Sequence, residues 1–229
     1  VAEHFYSPDE LAGLPDETVR IALGVGNPAR HAGLSAGDDV LDLGSGGGID
    51  CLIAARSVAP GGSVVGIDFL AEMVERATRA AAEAGLVNVR FVESEIEALP
   101  LPDASVDVVI SNGVINLSPR KVRVLSEAFR VLRPGGRLAI VDLVLDHDLP
   151  PEIQTHPGAW AGCLSGALSE IALYKGLRRA GFRDVGIEPL DDFGIGECAL
   201  YPLFNDELLG LFRRLVPAER HGRIARSVF

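Results

Sequence analysis

The stretch VLDLGSGGGIDCLIAA, residues 40–55, decides the fold. An apolar run with one acidic residue, within DDVLDLG, reads as a buried strand. It runs into a nest of glycines, and IDCLIAARSVA then reads as a helix. Glycines at such a turn let the chain reverse tightly and let a ligand approach the backbone, beside the free amides of the next helix. Gly44, Gly46 and Gly48 are spaced GxGxG, whereas a dinucleotide fingerprint sets its third glycine further on. A turn that merely closes the first strand–helix link is the plainer reading. One of only three cysteines, Cys51, sits directly behind the turn.

Outward from this stretch the pattern repeats. SVVGID (63–68) reads as a second strand after the breaker PGG at 60–62. Residues 70–85 place Met73, Ala77, Ala80, Ala81 and Ala84 on one helical face and close on Gly85, a glycine stop. NVRFVES and SVDVVISN read as strands, KVRVLSEAFRVL (121–132) as a helix cut by PGG at 134–136, and GRLAIVDLVL (136–145) as the next strand. Strands separated by helices of this length predict parallel pairing with right-handed crossovers. A short helix is expected over Glu17–Leu23, another over 170–181, and a late strand in FRDVGIEPL (182–190). The division expected is an N-terminal lid or cap (1–37), a cofactor-binding α/β core (38–145), and a substrate-side insertion with C-terminal completion of the same domain (146–229).

The chain has 229 residues and a formal net charge of −11, which argues against nucleic acid as a partner, because phosphate binding needs clustered Lys and Arg. Its apolar runs are broken by Gly, Asp or Arg, short of the ~20 residues that cross a bilayer, so no membrane partner is expected. It opens on Val rather than Met, and VAEHFYSPDE has no apolar stretch of secretion-signal type. Three widely spaced cysteines, at 51, 163 and 198, make no disulfide framework or zinc motif. They point to a reducing compartment, the cytoplasm.

The ends of the later strands carry the chemistry. Asp68 closes the second strand about twenty residues beyond the glycine turn, the position from which a carboxylate bonds a ribose diol. Glu95, after the third strand, could accept from an adenine amine, with Ile96 covering the ring. Asn112 ends the fourth, where the chain opens towards a substrate. Phe5 and Tyr6 could close over the cleft and exclude water. His147 and His156 read as polar loop residues, while Trp160 and Tyr174 could cap a substrate pocket.

At this point the sequence resembles a known family. VLDLGSGGGID, VVGID, SEIEALPLPDASVDVVISNGVINLSP and AFRVLRPGGRLAIVD are similar to class I S-adenosylmethionine-dependent methyltransferases. GNPARHAGL (26–34), DLGSGGGIDC (42–51), SNGVINLSP (111–119) and AGCLSGAL (161–168) together resemble the arsenite methyltransferases over roughly residues 10–190. The resemblance implies an α/β, Rossmann-like, doubly wound sheet of seven strands with an antiparallel final strand. It implies S-adenosylmethionine as cofactor, with Asp42, Gly44, Ser45 and Gly46 at the methionine turn and Asp68 on the ribose. Phe69 and Met73 would line the adenosine cleft, Glu95 and Ile96 would frame the adenine, and Asn112 would lie near the sulfonium.

For the reaction, the resemblance implies methyl transfer to trivalent arsenic, a soft acceptor suited to thiolates, with Cys51, Cys163 and Cys198 as catalytic residues and arsenic ligands. The partners implied are a metalloid or small-molecule substrate and thiol reductants that restore As(III). The sequence departs from the family where a cysteine is frequent and Gly113 stands, and Cys198 falls nearer to Cys163 than the family's late cysteine. Full-length members often carry a further C-terminal segment, and the resemblance leads to the expectation that it is missing or replaced here. Methylation of an organic small molecule at carbon, nitrogen or oxygen is the alternative, followed by a cofactor-binding module without chemistry. A nicotinamide dehydrogenase is disfavoured by the glycine spacing.

Overall fold

The computed structural model describes residues 1–229. Seven strands form one sheet: β1 (Asp39–Leu43), β2 (Ser63–Asp68), β3 (Val89–Glu93), β4 (Val106–Asn112), β5 (Leu132–Val144), β6 (Pro189–Phe193) and β7 (Ala225–Val228), in the order β3-β2-β1-β4-β5-β7-β6. The first five run parallel, and the chain-final β7 lies antiparallel between β5 and β6. The doubly wound, seven-stranded arrangement with an antiparallel last strand is therefore present.

Twelve helices surround the sheet: α1 (Ala2–Phe5), α2 (Pro8–Leu11), α3 (Asp16–Ile21), α4 (Pro28–His31), α5 (Ile49–Ser57), α6 (Ala71–Glu83), α7 (Lys121–Val131), α8 (Pro151–Gln154), α9 (Pro157–Ala161), α10 (Glu170–Ala180), α11 (Ile195–Cys198) and α12 (Asp206–Leu215). None is long and apolar enough to cross a membrane. Strand side chains alternate between the faces. Leu41, Leu43, Val65, Ile67 and Val109 pack with Val124, Leu125, Ala128, Leu173 and Leu177 of α7 and α10. Val40, Val64, Val108 and Ile110 pack on the opposite face with Cys51, Ala54 and Ala55 of α5. Ala80 and Ala81 of α6 join Leu52 and Ile53 in a neighbouring cluster, as the small-residue stripe on that helix predicts. A further apolar cluster joins Val141 and Leu143 of β5 to Leu164, Leu208 and Phe212, so segment 146–229 is tied to the sheet by its own core.

Two elements differ from expectation. β5 begins at Leu132 and runs through Pro134, Gly135 and Gly136. The cost is a register irregularity between Val106 and Val108 of its partner: the glycines bend the strand rather than end it. The late strand covers Pro189–Phe193, not 182–190. Phe182, Val185 and Ile187 instead pack as irregular chain against the α7/α10 core, and pairing with β7 fixes where β6 begins.

Candidate active site

The order β2-β1-β4 makes the carboxyl ends of β1 and β4 the switch point at which such sheets hold ligands. The glycine turn leaves β1 there. Gly44, Gly46 and Gly48 all have positive φ, at 71°, 50° and 90°, which glycine adopts without strain. At Gly44 a Cβ would stand 2.5 Å from Val114 Cγ1, so the chain after β4 lies directly on the turn. At Gly46 a Cβ would meet nothing within 4 Å, and the turn is open on that side.

A cavity of about 580 Å³ opens beside it, walled by Gly44, Asp68, Phe69, Glu95, Ile96 and Val114 among others. Its size suits a nucleoside-sized ligand. Asp68 is buried; its Oδ2 accepts from the Gly46 amide at 2.9 Å and its Oδ1 from the Leu70 amide at 3.0 Å. Each carboxylate oxygen can still accept a second bond. Phe69 is 67% exposed at the cavity wall, an apolar face open to water that a flat ring would cover. Ser45 is buried, and its hydroxyl has no hydrogen-bond partner. A buried orphan hydroxyl beside an open glycine turn fits a polar ligand lying against that turn. The residues present thus suit an adenosyl group with a polar tail. Met73, Ser45 and Gly46 are not among the cavity walls.

Asp42 and Cys51 lie beneath this surface. β1 alternation turns Asp42 away from Leu41 and Leu43 towards α5, where Cys51 Sγ donates to its Oδ2 at 3.1 Å. Burial, with the charge of Asp50, pushes the Asp42 carboxyl up, and burial with the Asp42 charge pushes the Cys51 thiol up. A Cβ on Gly66 of β2 would come within 2.8 Å of that sulfur. Cys51 therefore fills the gap that a glycine leaves in the neighbouring strand, which is why it is parked behind the turn.

Asn112 closes the other side of the turn. Its Oδ1 accepts from the Val25 amide at 2.8 Å, and its Nδ2 lies 2.8 Å from the Gly26 carbonyl and 3.0 Å from Asp50 Oδ2. Tyr6 donates to Asp50 Oδ1 at 2.8 Å. Burial raises the Asp50 carboxyl to about 6, against the hydrogen bonds from Asn112 and Tyr6, which favour its charged form. Tyr201 donates to the Gly24 carbonyl at 3.0 Å, and a Cβ on Gly47 would strike Ile21 Cδ1 at 2.6 Å. Residues 21–26 are thus strapped across the glycine turn from both sides. The part of Asp50 in this strap has a sequence signal, an acid two positions beyond the last glycine of the turn, that sequence reasoning missed.

The three thiols are not gathered. No group of three Cys, His, Asp or Glu side chains stands together as metal ligands would, and all three cysteines are free and buried. Cys163 and Cys198 share one apolar cluster and Cys51 belongs to another. Cys163 has a left-handed backbone, φ 65°, unusual for a side chain with a Cβ, and its Sγ donates to the Gly113 carbonyl at 2.7 Å. Burial, together with the Asp142 charge, pushes its thiol up. Burial also raises the Asp142 carboxyl, to about 6, against hydrogen bonds from Leu143 and Asn116. Of the loop residues, His156 Nδ1 accepts from the Gly158 amide at the start of α9. Glu93, Ser94, Glu97, Leu117, Ser118 and Arg120 also wall the cavity, positions that sequence reasoning did not single out although they flank the ends of β3 and β4.

Comparison with known proteins agrees with this arrangement. A family profile described as a methyltransferase domain matches residues 34–181. The arsenite methyltransferase of Halobacterium salinarum is 44% identical over 187 residues, which is 82% of this chain and 48% of that protein. The 27-O-demethylrifamycin SV methyltransferase of Amycolatopsis mediterranei is 34% identical over 190 residues, 81% of this chain and 66% of that one. The crystal structure of an arsenic(III) S-adenosylmethionine methyltransferase from Chlamydomonas reinhardtii superposes with a TM-score of 0.74 at 36% identity, covering 96% of this chain and 70% of that chain. The chain spans about half the length of the arsenite methyltransferases of Halobacterium salinarum and Aquipseudomonas alcaligenes, both of which it matches. With its glycine turn, acidic strand end and 3-2-1-4-5-7-6 sheet, the chain belongs to the methyltransferase domain family, as a class I S-adenosylmethionine-dependent methyltransferase related to the arsenite methyltransferases.

Proposed function

We propose that the chain methylates trivalent arsenic, with Cys163 as the thiol that captures the metalloid. S-adenosylmethionine, when bound, supplies an electrophilic methyl carbon on a sulfonium. Gly44, Gly46 and the orphan hydroxyl of Ser45 receive its methionine part, and Asp68 accepts from the ribose hydroxyls. Phe69 and Ile96 border the adenosine, with Glu95 at the adenine amine. Asn112 acts one step away: it holds Val25 and Gly26 over the turn, so that water is kept from the sulfonium. Asp42 supports the turn from beneath.

The observation that carries the metalloid reading is the sulfur of Cys163 on the Gly113 carbonyl, one residue from Val114, which lines the cleft and packs on Gly44. In capture an As–O bond is exchanged for As–S, and the thiol proton leaves with the displaced hydroxide as water. Arsenic keeps its lone pair for in-line attack, so the work of the chain is to hold that sulfur and the methionine turn in register. On this reading small-molecule thiols complete the arsenic shell, and Cys51 and Cys198 serve packing.

Titration of the reduced protein with arsenite, by calorimetry in the presence of S-adenosylhomocysteine, tests this. Saturable binding is expected, retained in Cys51→Ser and Cys198→Ser and lost in Cys163→Ser, while all three variants still bind S-adenosylhomocysteine. Binding that survives Cys163→Ser, or its absence in the parent protein, would overturn the assignment. The second reading is methylation of an organic small molecule, favoured by Gly113 in place of a thiol and by the scattered cysteines. The relative that acts on demethylrifamycin SV also supports it.

A further inference from the structure

The mouth of the cavity is bridged. One wall is the end of β3 and the chain beyond it, residues 93–97, and the other is the turn before α7, residues 117–120. Arg120 Nη2 lies 3.2 Å from Glu95 Oε2. Ser118 Oγ donates to Glu97 Oε1 at 2.5 Å and accepts from the Arg120 amide at 3.0 Å. Arg123 Nε donates to the Glu97 carbonyl at 3.1 Å. Three of these four hydrogen bonds cross between the walls and fix them relative to each other at the rim, and the fourth, from the Arg120 amide to Ser118, orders one wall. The Arg120–Glu95 pair is the only one of the four formed between two charged, solvent-facing side chains, 62% and 64% exposed.

We propose that Arg120 is a positioning residue for purine recognition: it holds Glu95 by one carboxylate oxygen and leaves Oε1 to accept from the exocyclic amine of the adenine. This rests on the reading of the cavity as the adenosine cleft. Left alone, an exposed glutamate samples many rotamers and gives up that freedom on binding. A guanidinium on one oxygen removes much of that cost and fixes the direction of the remaining lone pairs. A carboxylate held there accepts from a 6-amino group and repels a 6-oxo group, so the pair selects adenine over hypoxanthine. A covering ligand also shields the pair from water, which strengthens an interaction worth little when fully solvated.

The test is direct binding, by calorimetry, of S-adenosylhomocysteine and its 6-oxo analogue S-inosylhomocysteine to the parent protein, Arg120→Ala, Arg120→Lys, Glu95→Gln and the Arg120→Ala/Glu95→Gln double variant. The parent should prefer the adenosyl ligand. Arg120→Ala should narrow that preference about three- to fivefold, through weaker adenosyl binding, and Arg120→Lys should restore part of it. In the Glu95→Gln background the Arg120 change should have no further effect on the preference. An equal loss for both ligands in Arg120→Ala, or an unchanged preference, would overturn the inference while the parent's preference for adenine left the cleft reading intact. Failure of the parent to bind either ligand would overturn both. Unchanged urea midpoints in all variants are expected from the exposure of both side chains.

Discussion

At the scale of single residues, the site is built on buried acids that have little to neutralise them. Asp50 and Asp142 are both raised by burial to about 6, while an unfolded chain titrates aspartate near 3.9. Between those values the native state holds protons that the unfolded state has lost. Each group therefore adds stability as pH falls from about 6 towards 4, and withdraws it as pH rises through 6. The size is on the order of 3 kcal/mol per group over the whole interval. Glu10 runs the other way: burial raises it, but hydrogen bonds from Arg30, Ser7 and Asn27 prevail and lower it to about 2. Its contribution is lost as pH drops below its unfolded value near 4.3. The unfolding temperature should therefore rise by about 4 °C or more from pH 7 to pH 5 and fall below pH 4. Calorimetric scans across that range check it. Asp50→Asn and Asp142→Asn should each flatten the rise, and a parent protein with no rise would show that these carboxylates stay charged. Cys51 follows the same logic of burial. Cys51→Ala opens a void beside Gly66 and leaves Asp42 without its donor, and should cost about 1–3 kcal/mol in urea unfolding.

At the scale of elements, the N-terminal segment is the part most open to experiment. Its four helices are short, four to six residues each, too short to stand alone. They are held by side-chain contacts from elsewhere: Asn112 on Val25 and Gly26, Tyr201 on Gly24, and Tyr6 on Asp50. Removing the Asn112 amide by Asn112→Ala leaves a backbone donor, a carbonyl and one carboxylate oxygen of Asp50 without their partner, at a cost of about 2–4 kcal/mol. Amide exchange over residues 1–30 should quicken at least tenfold in that variant while exchange in β1, β2 and β4 stays slow. Equal acceleration everywhere would mean that the strap is part of the global core. The sequence showed the strands at the heart of this arrangement because β1, β2 and β4 are covered on both faces and read as nearly unbroken Val, Ile and Leu. It showed Asp68 and the glycine turn because their spacing is set by one strand–helix–strand unit. It gave Asn112 a place but not a partner, since the bond to Val25 spans 87 positions and no local pattern records a contact at that distance. For the same reason, three cysteines read as one set divide between two clusters, Cys163 and Cys198 in one and Cys51 in the other.

At the scale of the molecule, the final strand joins what the chain order keeps apart. β7 lies between β5 and β6 and pairs with both, Arg226 standing opposite Val144 on one side and Asp192 on the other. Its Ser227 hydroxyl accepts from the Asp191 amide at 3.1 Å, and Arg226 reaches Asp146 at 2.7 Å. Without β7, β6 has no partner and the edge of β5 is bare, an arrangement prone to pairing with other chains. Ser227→Pro introduces a ring into a strand bonded on both sides, which costs about 3 kcal/mol or more. Against a total of about 5–15 kcal/mol for a domain, that is a large share. The cleft, however, lies at the ends of β1 and β4, and β5 stands between it and β7. Ser227→Pro should therefore lower the urea midpoint sharply while the folded fraction, at low temperature and without denaturant, binds S-adenosylhomocysteine with an affinity within about twofold of the parent. Intact affinity with lost stability would make the β6–β7 pair a stabilising closure of the sheet. Affinity lost in step with stability would instead mean that the cluster around Val141, Leu143 and Phe212 carries strain from that strand pair to the glycine turn, by way of Val25, which packs in the same cluster and bonds to Asn112.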